Sequence, residues 1–173
     1  MPAAPAWTIR SLLPDDLNDL LDLQARCFGE DFLESAEVYA RRLASDHQQS
    51  LGIACERTRA LRAYAAAYWS DPGKVTPFDG DFLPPRAHQP VLYLHDVSVA
   101  PEWSGRGAAG ALLGALFQRA RARGVRQAAL VSVQGSQAYW ARHGFTRRAV
   151  TDPQQQRHLL SYGEAAAYMV APL

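Results

Sequence analysis

The order of apolar and polar positions along the chain predicts an α/β protein that begins with a strand and two helices. Residues 7–12 alternate between apolar and polar side chains, which is typical of a half-buried strand. Pro14-Asp15-Asp16 then opens a stretch with leucines at helical spacing. Residues 35–45 place apolar side chains on one face of a second helix.

The next part of the chain predicts an antiparallel hairpin followed by a long surface loop. Two short apolar runs, residues 50–56 and 60–69, are separated by the polar Arg57-Thr58-Arg59. Residues 70–90 contain five prolines and three aspartates without a sustained period, so we expect an irregular loop. The loop could act as a lid, and its aromatic side chains would then cover an acceptor: Trp69, Phe78 and Phe82.

The centre of the chain predicts a β-α-β unit. Residues 91–100 form the most strand-like stretch, residues 108–123 form a helix that ends at Gly124, and residues 127–133 form another strand. Such a crossover is right-handed in nearly all proteins and makes its two strands parallel.

The last third of the chain predicts one short helix and two further strands. The helix begins near residue 136 and ends at Gly144, residues 145–150 form a strand, and residues 166–173 form the last one. No element is predicted for the polar stretch at residues 151–163. The whole pattern indicates one domain, residues 1–173, with a mixed sheet of six to seven strands and about four flanking helices.

Composition and charge narrow the class of protein. The chain of 173 residues is 48% hydrophobic and 20% charged, which is typical of a soluble globular domain. Lysine and arginine total 18 against 17 acidic residues, so neither nucleic acid nor a membrane surface is an expected partner. Residues 1–13 lack a basic start and a long apolar run, and we expect a cytoplasmic protein with Cys27 and Cys55 as free thiols.

The stretch EWSGRGAAGALL, residues 102–113, predicts an anion-binding loop before a helix. Glycines there expose backbone N–H groups at the positive end of the helix dipole, where phosphate oxygens bind. A Walker loop is excluded because Gly-Lys-Ser/Thr is missing. The spacing of Gly105, Gly107 and Gly110 fits a dinucleotide fingerprint, but that motif follows the first strand of its fold, whereas this one follows several antiparallel strands.

Two motifs resemble those of the Gcn5-related N-acetyltransferase (GNAT) superfamily. VSVAPEWSGRGAAGALL is similar to its acetyl-CoA-binding strand, loop and helix, and ALVSVQGSQAYWARHGF is similar to its second cofactor motif. YLHDVSV further resembles the serotonin N-acetyltransferase branch and its bacterial relatives. The resemblance implies the GNAT acyl-CoA N-acyltransferase fold and acetyl-CoA as cosubstrate, without a metal.

The resemblance also implies which residues hold acetyl-CoA. The backbone of residues 97–99 would hold pantetheine as an added strand, with an N–H of Val97 or Ser98 aimed at the thioester oxygen. Ser104 stands where the family usually has arginine or glutamine. The implied cofactor-binding residues are Val97, Ser98, Val99, Ser104, Gly105, Arg106, Gly107, Ala108, Ala109, Gly110, Gln134, Ser136, Tyr139 and Trp140.

Two catalytic roles can be assigned as hypotheses. His95 lies on the strand beside the cofactor, and a histidine takes up a proton near neutral pH, so it is the expected general base. Strand alternation places Asp96 on the opposite face, in a structural role. The family's usual acid is a tyrosine at the position of Trp140, and indole cannot supply a proton. Tyr139, Tyr168 or water would then protonate the thiolate.

Two charged clusters have alternative interpretations. The arginines near the end of the central helix could bind a 3′-phosphate or simply be solvated: Arg119, Arg121, Arg123 and Arg126. An acidic turn at Glu30, Asp31 and Glu34 could attract a cationic amine or be solvated.

The resulting functional hypothesis is an N-acetyltransferase that moves acetyl from acetyl-CoA to a primary amine of a small molecule. Attack is expected to be direct, within a ternary complex, because neither cofactor motif contains a cysteine. The protein would be a monomer or a homodimer. The alternatives are a non-catalytic acyl-CoA-binding module, or an acetyltransferase acting on protein N-termini or lysines.

Overall fold

Seven strands form one mixed sheet in the computed structural model, which describes residues 6–173. The expectation about an N-terminal targeting segment rests partly on residues 1–5, which lie outside the described residues. The strands are β1 (Trp7–Ser11), β2 (Leu51–Cys55), β3 (Leu61–Ser70), β4 (Val91–Val99), β5 (Gln127–Ser132), β6 (Thr146–Arg147) and β7 (Ala167–Pro172). The helices in this part of the chain are α1 (Leu17–Phe28), α2 (Ala36–Leu43), α3 (Ala108–Ala122), α4 (Gln137–Arg142) and α5 (Pro153–Leu160).

The order of the strands in the sheet is β1-β2-β3-β4-β5-β7-β6. Strands β4 and β5 are parallel and α3 connects them, which confirms the predicted β-α-β unit. The other neighbouring strands pair antiparallel. Strand β3 is buried along nearly its whole length because helices α1 and α3 both pack against it. The predicted α/β fold with a mixed sheet is confirmed.

The entry into α1 is organised by the buried carboxylate of Asp16. Arg10 on β1 donates two hydrogen bonds of 2.7 Å to its two oxygens, and the N–H of Leu13 donates a third of 2.8 Å. These bonds hold the turn at Pro14–Asp16 against the end of β1. The helix that follows buries Leu20 and Leu23 against the sheet, as its apolar spacing predicts.

The segment at residues 71–90 has no regular structure and is largely exposed, as the sequence predicts, but part of it packs against the core. Val75 and Thr76 are fully buried, and the ring of Phe82 stacks on Tyr68 with 4.2 Å between the centroids. Backbone N–H groups of the segment are satisfied by side chains from other elements, including Tyr93 and Gln155. Residues 75–82 are therefore anchored to the core, whereas residues 83–90 are mostly exposed.

Two elements near the C-terminus differ from the prediction. The strand predicted over residues 145–150 is limited to Thr146–Arg147. The polar stretch after it contains α5, which raises the number of helices from the expected four to five in the described chain. Asp152 caps this helix by accepting a 3.0 Å hydrogen bond from the N–H of Gln155, and Pro153 occupies its first turn.

Replacing Asp16 tests the anchor of α1. Burial raises the pKa of Asp16, but the hydrogen bonds from Arg10 and Leu13 outweigh burial and lower it. Asp16→Asn should therefore lower the free energy of unfolding at pH 7 by about 1–3 kcal/mol, as measured by urea denaturation.

A lowered folded-state pKa means that the stabilisation is complete above the unfolded-state value, about 3.9, and is lost as the pH falls through the folded-state value. The difference between Asp16→Asn and the parent should accordingly shrink below about pH 4. A difference that is independent of pH would mean that the ionised form of Asp16 contributes nothing.

Candidate active site

Strand β4 contains a bulge at His95. In the pairing with β3, Asp96 lies opposite Ala66 and Leu94 lies opposite Ala67, so His95 is an extra residue without its own partner. An extra residue interrupts the alternation of faces along a strand. His95 and Asp96 both line the same small pocket. The side chain of His95 contacts Glu34, just before α2, and that of Asp96 contacts Tyr39 on α2. The prediction that Asp96 faces the opposite side is therefore wrong.

A cleft opens where β4 and β5 diverge. Their parallel pairing ends at Leu94 and Leu130, and beyond this point no described strand pairs with β4 on the β5 side. The cleft has a volume of about 590 Å³. It is lined on the β4 side by the predicted residues Val97, Ser98 and Val99, together with His95 and Asp96.

The loop at residues 104–107 forms one end of the cleft. Gly105 and Gly107 have φ angles of 75° and 78°, in the left-handed region that favours glycine. The first backbone hydrogen bond of α3 runs from Ala111 to the carbonyl of Gly107 at 2.9 Å, and the preceding N–H groups have no backbone acceptor among the described residues. This is the geometry of an anion site at a helix N-terminus.

The residues of this loop contribute in different ways. Ser104 and Ala109 line the cleft, whereas Ala108 is buried beneath it and Gly110 is exposed. The guanidinium of Arg106 lies over the ring of Trp103, and residues 105–107 are not part of the cleft lining.

The turn after β5 and helix α4 form the opposite wall. Gln134 lines the cleft and donates a 3.3 Å hydrogen bond to the carbonyl of Phe28 at the end of α1. Ser136 also lines the cleft, but its hydroxyl is engaged with Ser132 and the carbonyl of Val133. Tyr139 and Trp140 both line this wall, and burial raises the pKa of the Tyr139 phenol. The wall thus contains all four residues predicted from the second motif.

A second, smaller pocket joins the cleft at His95 and Asp96. Its walls are mainly aromatic and come from five separate parts of the chain, and no arginine or lysine lines it. The aromatic side chains are Phe28, Phe32, Phe78, Tyr93 and Tyr162. The hydroxyl of Tyr162 donates a 2.7 Å hydrogen bond to the carbonyl of Thr76, which fixes this wall to the segment at residues 71–90.

A buried ion pair lies against His95 at the junction of the two cavities. Glu34 receives two hydrogen bonds from Arg42, of 3.0 and 2.7 Å, and one of 2.6 Å from Nε2 of His95. Burial by itself raises the pKa of Glu34, but His95 and Arg42 outweigh it and hold this pKa far below its usual range. Glu34 is therefore ionised and already paired, and it is not the solvated acidic turn considered from the sequence.

A second buried carboxylate lies beside the first in a different environment. Asp96 accepts hydrogen bonds from the hydroxyls of Tyr39, at 2.8 Å, and Tyr64, and it accepts a longer one of 3.3 Å from Ser98. Burial raises the pKa of Asp96, and the tyrosine hydrogen bonds offset only part of this effect. The junction thus combines a histidine, an ionised carboxylate and a carboxylate that is harder to ionise.

Several candidates from the sequence lie away from the site. The arginines at the end of α3 do not line the cleft, since 15 residues of helix separate the two ends by about 22 Å. Arg119 contacts Gln49, and Arg123 lies over the ring of Trp69. Tyr168 accepts a hydrogen bond from the N–H of Gly73 and lines neither cavity, so it is not in a position to protonate a ligand there.

Sequence reasoning missed the contribution of α1 to the cleft. Arg26, Cys27 and Phe28 at the end of this helix line the cavity. Arg26 is paired with Glu102 next to the glycine loop. The thiol of Cys27 donates to the carbonyl of Val99 at 3.2 Å, and burial raises its pKa, which makes it a poor nucleophile. The amphipathic pattern of α1 predicts the helix but not which end meets β4.

Among the described residues, no group of three or more histidine, cysteine, aspartate or glutamate side chains could hold a metal ion. None of the helices at residues 6–173 is both long and apolar enough to cross a membrane.

The bulged β4, the divergence from β5 and the glycine loop before α3 define the fold class of the GNAT acyltransferases. Residues 17–145 match the model of the acetyltransferase (GNAT) family. Because the match covers most of the chain, the protein belongs to this family, whose members use acyl-CoA. No curated protein sequence matches the chain.

Solved structures with the same fold include enzymes of different activity. The ribosomal-protein-S18-alanine N-acetyltransferase from Escherichia coli is 18% identical, with a TM-score of 0.68, over 96% of this chain and 94% of that one. The PaiA N-acetyltransferase from Thermoplasma acidophilum, in complex with coenzyme A, is 14% identical, with a TM-score of 0.68 and coverages of 97% and 99%. The GNAT-like decarboxylase GphF, in complex with isobutyryl-CoA, is 16% identical, with a TM-score of 0.74 and coverages of 95% and 98%. At these identities the likeness shows the fold alone.

Gly107→Val tests the anion site at the loop. A valine at the φ of 78° is strained, so the loop must rearrange and its N–H groups lose their common direction. In the parent, coenzyme A at a hundred times its dissociation constant should add about 2.7 kcal/mol to the stability. We expect Gly107→Val to lose this gain in a thermal melt.

Gly114→Val is the matched control, because Gly114 lies in the exposed interior of α3 and a Cβ there also meets no atom within 4 Å. It should keep the thermal shift with coenzyme A. Equal shifts in both variants would show that the loop does not hold the ligand.

Proposed function

We propose that this protein is an N-acyltransferase that moves an acetyl group from acetyl-CoA to the primary amine of a small molecule. The observation that carries the proposal is the junction at His95, where the long cleft between β4 and β5 meets the aromatic pocket. A thioester in the cleft and an amine in the pocket would meet there. Direct attack of the amine on the thioester within a ternary complex requires only that the two ligands meet in this way.

The cleft supports acetyl-CoA as the donor. The free edge of β4 at residues 95–99 can bind an extended pantetheine chain as an added strand, through main-chain hydrogen bonds. The N–H groups at residues 105–109 are suited to the pyrophosphate. Arg26, at the same end of the cleft, could contact a phosphate only by sharing its guanidinium with Glu102.

The groups at the junction match the needs of acyl transfer. His95 would accept the proton that the amine loses as its nitrogen attacks the thioester carbon. An N–H of Val97 or Ser98 would stabilise the developing oxyanion, and the C–S bond then breaks to release coenzyme A thiolate. Tyr139 lies in the wall of the cleft as the available phenol, beside Trp140.

The aromatic pocket supports a small acceptor over a polypeptide. Phe78, from residues 71–90, and Tyr162, from the residues after α5, line the pocket, and its volume of about 40 Å³ suits a small group. Turnover of acetyl-CoA with a panel of primary amines, including peptides with free N-termini, tests this directly by thiol release.

Three other outcomes of this panel, run together with a binding assay for acetyl-CoA and a carboxyacyl-CoA as an additional donor, would contradict the proposal. Turnover only with peptides would favour the polypeptide function of the kind named for the Escherichia coli neighbour. Binding of acetyl-CoA without any turnover would favour a non-catalytic acyl-CoA-binding module. Loss of carbon dioxide from a carboxyacyl-CoA would favour the decarboxylase chemistry named for GphF. A location in the cytoplasm and a monomeric or dimeric state complete the proposal.

His95→Ala tests the general base. The variant should lower kcat/KM by about 10²-fold and lose the acidic limb of the pH profile, because no group then accepts the proton of the amine. The thermal shift with coenzyme A should be unchanged, which separates chemistry from binding. Activity close to that of the parent would assign His95 a structural role.

Tyr139→Phe tests whether a dedicated acid is needed. Thiols have pKa values of about 8.5, so coenzyme A can leave as thiolate near neutral pH, and kcat should stay within a few-fold of the parent. A true acid would cost roughly 10² in kcat. Trp140→Tyr is the companion variant: it should raise kcat at high pH if protonation limits turnover, and change nothing if product release does. A large loss in Tyr139→Phe with coenzyme A binding intact would show that Tyr139 is the acid.

A further inference from the structure

Glu34, Arg42 and His95 form a buried group that joins three parts of the chain. The exposed fractions of their side chains are 5%, 1% and 4%. Glu34 lies just before α2, Arg42 lies near its end, and His95 is the bulged residue of β4. Both oxygens of Glu34 are in use, since Oε1 contacts Arg42 and His95, and Oε2 contacts Arg42 and the N–H of Asp79.

Stability alone is a weak explanation for this group. Removing two charges from water costs free energy that their attraction often only offsets, and well-packed apolar side chains frequently replace a buried ion pair without loss. The ion pair does, however, fix the orientation of the Glu34 carboxylate. A carboxylate held at both oxygens presents its lone pairs at fixed positions, so it can orient a third group.

The carboxylate decides which nitrogen of His95 carries the proton. Because Glu34 is ionised, it can only accept, and Nε2 of His95 must donate the 2.6 Å hydrogen bond. In a neutral imidazole the other nitrogen, Nδ1, then has the free lone pair. Within residues 6–173 Nδ1 has no hydrogen-bond partner, and His95 lines both the cleft and the pocket.

Aromatic side chains hold the same ring from its other sides. Phe82 meets it edge to face at 5.5 Å, and the rings of Tyr93 and Tyr162 have their centroids 6.5 Å away. These contacts limit rotation of the imidazole but cannot distinguish its two nitrogens. The choice of tautomer therefore depends on Glu34.

The ion pair also holds the wall of the pocket. Arg42 donates two hydrogen bonds, of 3.0 and 2.7 Å, to the carbonyl of Gly80, and the N–H of Asp79 donates one of 2.7 Å to Glu34. Phe78, the aromatic wall of the pocket, directly precedes these two residues. One carboxylate thus contacts both the expected base and the segment that closes the acceptor pocket.

We infer that Glu34 is a positioning residue for the proposed acyl transfer: held by Arg42, it fixes His95 with Nε2 protonated and leaves Nδ1 as the nitrogen that accepts the proton of the amine. This inference rests on the proposed function for its catalytic part. Its structural part, the tautomer of His95, does not depend on any activity.

The tautomer can be measured by ¹⁵N NMR of protein labelled in its histidines, with His95→Gln used to assign the signals. The parent protein should show His95 protonated at Nε2. In Glu34→Gln the amide oxygen should remain at the Oε2 position, where both neighbours, Arg42 Nη2 and the N–H of Asp79, can only donate. The NH₂ group then replaces Oε1, loses the hydrogen bond from Arg42 Nη1 and donates to Nε2 of His95. The signals should therefore change to the form protonated at Nδ1.

The same variant should lower kcat by about 10²-fold, because Nδ1 can no longer accept a proton. KM for acetyl-CoA and the thermal shift with coenzyme A should be unchanged. Asp16→Asn is the matched control: it removes one carboxylate oxygen from another doubly hydrogen-bonded arginine pair, which is partly buried beside β1. It should lower the melting temperature but leave the His95 signals and kcat unaltered.

Two results would overturn the inference: parent protein with His95 protonated at Nδ1, or Glu34→Gln with an unchanged tautomer and an unchanged kcat. If Glu34→Gln does not fold, the neutral pair Glu34→Gln with Arg42→Met replaces it, and the spectrum of the parent decides the first point without any variant. A parent that shows the Nε2 tautomer but acetylates no amine would contradict the proposed function and leave the orientation of His95 by Glu34 standing.

Discussion

The pairing of β3 with β4 accommodates one residue too many on β4, and the geometry of the site depends on where this residue lies. Because the extra residue is His95, the side chains of His95 and Asp96 share a face instead of alternating. The same strand loses its parallel partner after Leu94, so the irregular part of β4 is also its unpaired part.

The pKa values of the two carboxylates beside the bulge are shifted in opposite directions by their surroundings. Glu34 is surrounded by a guanidinium, an imidazole and a backbone N–H, which lower its pKa despite burial. Asp96 is surrounded by the neutral hydroxyls of Tyr39 and Tyr64, and burial prevails. Groups with pKa values moved apart in this way are typical of sites that transfer protons. His95 lies between them and faces both cavities.

The sequence predicted the elements whose information is local. The β-α-β unit and its glycine loop are encoded by one contiguous stretch with clear apolar periodicity and turn residues. They appear in the structure as expected. Helix α5 was missed because its sequence, PQQQRHLL, has no apolar stripe, although Asp152-Pro153 and Gly163 were available as start and end signals.

Contacts between distant residues could not be predicted in the same way. Glu34 and His95 are 61 positions apart, and nothing in the spacing of either residue indicates the pair. The bulge was equally hidden, because a strand with one extra residue has the same apolar composition as a regular strand. The burial of Val75, Thr76 and Phe82 was missed for a related reason: prolines predict irregular backbone, and irregular backbone is usually exposed.

The two cavities differ in how the chain builds them. The cleft is formed mostly from one continuous stretch between β4 and α4, joined by the end of α1, whereas the aromatic pocket combines α1, the segment at residues 71–90, β4, β5 and the residues after α5. Proteins open in cooperative units that often coincide with contiguous motifs. Opening of residues 71–90 would expose the pocket while the β-α-β unit stays intact. Entry of an acceptor and retention of the donor can therefore belong to separate local equilibria of one small domain.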